Sequence, residues 1–169
     1  MPSDGGGTEI FMRRYAALFL SFLLILCFLT SCGEGESAEA RMRAFADAYG
    51  GGTVYAPGIP EGESGHADGD FYEDLFGVPP YEIEEYALLF LPSLEDGGEA
   101  GIFLCYSAAD AMEVAKVCLS RVELIRRVDV LSSRAWAEDA FAERYGRWVV
   151  YASLPDAARA RRLFRSICS

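Results

Sequence analysis

The sequence predicts an α+β fold, a four-stranded antiparallel sheet built from two successive ββα units with the long helices packed on one face. Three observations predict it. Apolar runs at residues 85–91, 101–106 and 148–151 have the length and bounding turns of strands. Two segments, one from Ala108 and one from Ala157, repeat their apolar residues at helical spacing. The junction Tyr106-Ser107-Ala108-Ala109-Asp110-Ala111 is echoed by Ala152-Ser153-Leu154-Pro155-Asp156-Ala157, both carrying S-x-x-D-A, as if one strand-to-helix unit had been copied.

Taken from the N-terminus, the first element is a targeting signal. Arg13 and Arg14 precede an uncharged run at residues 15–29, too short for a comfortable membrane span and closed by Leu29-Thr30-Ser31-Cys32. That ending resembles the lipobox of bacterial lipoproteins. The resemblance implies cleavage before Cys32 and a diacylglyceryl thioether on its sulfur, with Cys32 as the mature N-terminus. Residues 1–31 are then a signal region, for which Met12 is a more natural start than Met1. One acyl chain binds a bilayer marginally, whereas two hold a protein for long times. The expected location is the extracytoplasmic side of the cell membrane, lipid-anchored.

Residues 32–69 read as a lipidated N-terminus and flexible linker with one possible helix at residues 38–49, stopped by Gly50-Gly51-Gly52. Residues 55–70 are rich in Pro, Gly, Glu and Asp, which argues for a flexible loop. The ordered domain is expected at residues 70–169. It opens with Asp70-Phe71-Tyr72-Glu73, a helix-start signal, and a short helix stopped by Gly77 and Pro79-Pro80. The strand at 85–91 is apolar on both faces, Glu95-Asp96-Gly97-Gly98 makes the turn, and 101–106 returns. Ser107 to Asp110 caps a long helix whose Ala111, Ala115, Cys118, Leu119, Val122 and Ile125 share a face, and Arg126-Arg127 suit the negative end of its dipole. Residues 135–145 fit either period, but the echo assigns 139–144 to a strand that turns at Tyr145-Gly146-Arg147. The closing helix buries Ala157, Ala160, Phe164 and Ile167.

The lipobox, the D-x-x-Y/F-G helix, the E-E-Y strand, the I-F strand entering S-x-x-D-A, and the strand Y-G-R-W-V-V-Y-A-S together resemble the Gram-positive, largely clostridial lipoproteins catalogued as domain of unknown function 4358. The resemblance covers roughly residues 70–167. It implies a fold and an envelope location and brings no catalytic residues.

Composition narrows function further. The formal net charge is −11 and Lys116 is the only lysine, so the clustered cations that nucleic-acid binding requires are missing. Of five cysteines, Cys27 leaves with the signal and Cys32 is alkylated, leaving Cys105, Cys118 and Cys168. These read as buried thiols, with a Cys118–Cys168 bridge as the alternative. His66 lies in the acidic loop, where it is poorly preorganised for triad chemistry. Asp68, Asp70, Glu73 and Asp74 suit helix capping better than a cation site, since their spacing fails the calcium-loop pattern. Glu82, Glu84 and Glu85 enter a strand at its solvated end. No cofactor or metal is expected. The strands 86–91 and 148–151 are apolar on both faces while the helices cover one, so Tyr86, Phe90, Trp148 and Tyr151 are the expected binding face, for an envelope protein or for self-association. The expected function is a non-catalytic binding or assembly module at the outer face of the membrane. The alternatives are a structural envelope protein or an enzyme of unrecognised type.

Overall fold

The computed structural model describes residues 36–92, 98–129 and 135–169; the expected signal region, Cys32 and the first three residues of the expected turn at 95–98 lie outside the described residues. The elements are α1 (Ala38–Tyr49), β1 (Thr53–Tyr55), α2 (Phe71–Phe76), β2 (Ile83–Phe90), β3 (Glu99–Cys105), α3 (Ala108–Asp129), a 3₁₀ turn (Ala135–Asp139), β4 (Phe141–Tyr145), β5 (Trp148–Ser153) and α4 (Ala157–Cys168). The class is α+β, as expected. The sheet has five strands rather than four, in the order β1-β2-β3-β5-β4 with every neighbouring pair antiparallel. The extra strand comes from Thr53-Val54-Tyr55, hidden at the start of the Gly- and Pro-rich stretch. Gly146, at φ 63°, opens the two-residue turn that pairs Tyr145 with Trp148.

Strand alternation divides the core in two. Ala87, Leu89, Ala100, Ile102, Val150 and Ala152 face α1 and α4, while Leu88, Phe103, Cys105, Val149 and Tyr151 face α2 and α3. The two long helices therefore lie on opposite faces, which corrects the expectation of a shared face. The first core is closed by Met42 and Phe45 of α1 against Phe164 of α4, the Phe45 and Phe164 rings stacking at 4.1 Å. The second is closed by Tyr72 of α2 and by Ala111, Val114, Cys118, Val122 and Ile125 of α3. Leu119 is half exposed, whereas Val114, which the expected face omitted, is buried.

The reason for the opposite faces lies in the two junctions. Ser107 Oγ accepts the Asp110 N–H at 3.1 Å and donates to the Asp110 carboxylate at 2.7 Å, so here the serine caps the helix after a single linking residue, Tyr106. In the second copy Ser153 is the last strand residue and Asp156 is the cap, its Oδ1 accepting the Arg159 N–H at 2.8 Å. The link is one residue longer, and its Leu154 is fully buried in the α1/α4 core. Similar letters thus send the following helix to different sides.

Helix α3 is fixed to the sheet by a polar contact as well as by packing. Arg121 Nε and Nη2 donate to the two oxygens of Glu99 at 2.7 and 2.6 Å, and Tyr151 Oη donates to Glu99 Oε1 at 3.0 Å. Charge-assisted two-point geometry of this kind is strong and directional. Beside it, Gly101 sits where a Cβ would run into the Tyr151 ring and approach Leu88 Cδ2 and Phe103 Cζ to 2.8 Å, so the aromatic layer requires a bare backbone there.

The folded unit begins at Glu36 rather than at residue 70. The 56–67 loop, expected to be flexible, is packed down: Ala56 donates its N–H to Gly65 O at 3.0 Å, Ala67 donates to Ala56 O at 3.2 Å, and Ala56, Ile59 and Ala67 are buried. Composition alone concealed this, because three well-placed apolar residues outweigh a polar average.

Candidate functional site

The site arises from a mismatch in strand length. Strand β2 has eight residues and pairs along its length with β3, but β1 has three and pairs only with Leu88, Leu89 and Phe90. Beyond Tyr55 the chain leaves the sheet, because the Ala56 N–H and C=O turn outward to Gly65 and Ala67 and Pro57 has no N–H to offer. The first half of β2 is consequently an open edge. By strand alternation Tyr55 addresses Leu88, so Tyr86, two residues back from Leu88 on the same strand, turns its own N–H and C=O to that open side.

A cleft of about 340 Å³ runs along this edge, within the size range of small-ligand and peptide-anchor pockets. One wall is the N-terminus of α1, with Ser37 and Glu39; another is Pro57-Gly58; Pro80 and the Ile83 to Tyr86 stretch complete it. Among the described residues its walls carry three carboxylates and no lysine or arginine. Glu85 Oε2 accepts the Ala38 N–H at 2.8 Å and Ser37 Oγ accepts the Ala40 N–H at 3.1 Å, so both satisfy the exposed donors of the helix end, where negative charge is favoured. Glu39 pairs with Arg43 at 2.9 Å, and Glu84 receives Arg147 Nη1 at 3.0 Å. Arg147 also donates to the Cys105 and Tyr106 carbonyls, tying the β4–β5 turn to this end of the sheet. Burial, and then the Asp68 charge, push the Tyr86 phenol upward, keeping it neutral. Tyr81, next to Pro80, is 80% exposed at the cleft margin.

The residues singled out from the sequence are distributed otherwise. Tyr86 and Tyr151 are buried in the α2/α3 core, Trp148 lies on the α1/α4 face under Arg41 at 4.7 Å, and Phe90 is half-buried against Tyr55 and Phe71. They form no common open face, because helices cover both sides of the sheet. This corrects the expected binding face. Only Tyr86 touches the cleft. No known protein family, curated protein or solved structure matches the chain.

The other candidates serve the fold. Asp68 Oδ1 accepts the Phe71 N–H at 2.9 Å and caps α2, a role the sequence had given to Asp70, whose side chain makes no capping bond. His66 Nδ1 donates to Ile59 O at 2.6 Å inside the packed loop. Cys105, Cys118 and Cys168 are free and buried, so the Cys118–Cys168 bridge is absent. Burial, reinforced by Asp110, pushes the Cys105 thiol up to about 11, away from nucleophilic use. The cleft itself left a trace in the sequence: a three-residue apolar run ending in Ala56-Pro57 faces an eight-residue partner strand.

Proposed function

We propose that this protein is a non-catalytic binding module, tethered through lipidated Cys32 to the extracytoplasmic side of the cell membrane, and that it engages its partner in the cleft along β2. The observation that carries the binding reading is the open edge itself. A strand edge with unpaired backbone groups is a liability unless it is covered, charged or used, and here it opens into a formed cleft rather than being blocked. The location rests on the Arg13-Arg14, apolar run and Leu29-Thr30-Ser31-Cys32 order, and on the resemblance to envelope lipoproteins.

The test is photocrosslinking from the cleft margin. With a benzophenone amino acid replacing Tyr81 in the full-length protein in its own membranes, one defined adduct is expected, and it disappears when Gly58→Trp fills the cleft. Gly58 does not need a positive φ, and the nearest atom to a Cβ there is the flexible Glu39 carboxylate at 3.0 Å, so the backbone accepts a side chain; a circular dichroism spectrum and melting temperature matching the parent check that the variant is folded. Absence of an adduct, or an adduct indifferent to Gly58→Trp, overturns the reading.

A further inference from the structure

We infer that the occupant of the cleft is an extended, basic polypeptide segment that adds to β2 as a short sixth strand. The inference rests on the cleft being the binding site and goes on to name what it takes. Two independent features lead to it. The first is the open edge: Tyr86 presents a backbone donor and acceptor to the cleft, and β1 diverges at Pro57, leaving the lateral room that a further strand needs. Backbone pairing of this kind supplies affinity without regard to sequence, and flanking pockets supply selectivity through alternate side chains.

The second feature is charge. Glu39, Glu84 and Glu85 stand along the slot, the Arg43 and Arg147 partners of the first two lie outside its lining, no cation lines it among the described residues, and the whole chain carries −11. Among the described residues each carboxylate is engaged through one oxygen: Glu85 and Glu84 through Oε2, Glu39 through Oε1. Each therefore keeps an acceptor for an incoming ammonium or guanidinium. An acidic peptide would meet repulsion at the same three places, so the field selects the sign of the partner as well as attracting it.

The experiment measures binding of defined peptides to the full-length protein in detergent micelles. The probe is an acetylated, amidated pentapeptide alternating lysine and valine; one control replaces lysine by glutamate, and another carries N-methyl groups on alternate amides. The expected result is saturable binding of the lysine peptide, at least tenfold weaker for each control, with the Tyr86 amide newly protected from hydrogen exchange. Gly58→Trp should abolish binding, and Glu84→Gln should weaken it while circular dichroism is unchanged. Lysine and glutamate peptides of equal affinity, an N-methylated peptide as good as its parent, or no binding at all would each overturn the inference. If the Tyr81 crosslink still forms and still depends on Gly58, the cleft remains the binding site and only its ligand class has been misjudged.

Discussion

Ser153 is buried at the end of β5, and its hydroxyl has no hydrogen-bond partner among the described residues. Ser153→Ala removes an oxygen that lost its water on folding and gained nothing, so stability should rise by up to about 1 kcal/mol; a lower melting temperature would mean that the hydroxyl is satisfied. The opposite holds for the Glu99–Arg121 pair, whose side chains are only 13% and 18% exposed. Arg121→Ala should cost about 3 kcal/mol by stranding the carboxylate, while Glu99→Leu with Arg121→Met and Tyr151→Phe, which removes the Tyr151 hydroxyl that Glu99 accepts from, should recover most of that loss in chemical denaturation. The buried thiols set an alkaline limit. Cys105 and Cys168 are each raised from 9.0 to about 11 by burial, so between these values the unfolded chain releases protons that the folded one keeps. Stability from this source is complete below pH 9 and falls as pH climbs toward 11; a melting temperature flat across that window contradicts it. At this scale the sequence was informative about side chains deep on a helix face, Ala111, Cys118, Val122 and Phe164 among them. It misjudged Leu119 because one step of helical phase, invisible in composition, moves a residue from the edge of the core to solvent.

The strands β2 to β5 and helices α3 and α4 were readable as elements because each has a full period of pattern and a turn or cap signal at its ends. What could not be read was the side on which each helix would lie. That depended on whether Ser107 and Ser153 play the same role, and a single added link residue with a buried Leu154 decided that they do not. Helix α1 was legible but undervalued: nothing in residues 38–49 shows that Ala38, Met42 and Phe45 meet α4. Their burial makes α1 half of one core. A protein beginning at residue 70 should therefore lack cooperative unfolding, its Leu89 and Phe164 left bare, whereas one beginning at Glu36 should melt in one transition. Within the intact chain, Met42→Ala should cost about 2 to 5 kcal/mol. A residue-70 protein with native circular dichroism would show that α1 is dispensable.

At the scale of the molecule, placing the start of the fold at Glu36 leaves four residues between Cys32 and the N-cap Ser37, five steps of chain with a reach of at most about 18 Å. In the proposed setting the partner must come to the membrane surface, and an acidic domain kept there gains nothing from anionic headgroups. The acyl chains must then supply the attachment. Cys32→Ser should abolish incorporation of labelled fatty acid and leave uncleaved precursor or released protein; unchanged incorporation would remove the anchor. The cleft was the least legible feature, since it is defined by where one strand stops relative to another, and relative strand length becomes meaningful only once pairing is known.

The stacking of Phe45 on Phe164 also governs the order in which the fold is completed. The β2–β3 and β4–β5 hairpins close short loops and can form early, but β3 meets β5 across some fifty residues and α1 meets α4 across well over a hundred. Contacts of such separation carry the largest closure entropy and form late. Helix α1, which precedes every other described element, is thus among the last to find its partner. Until α4 is made, the sheet can cover α1 but the Phe45 ring lacks its stacking partner, and the nascent chain is more exposed to aggregation over that interval.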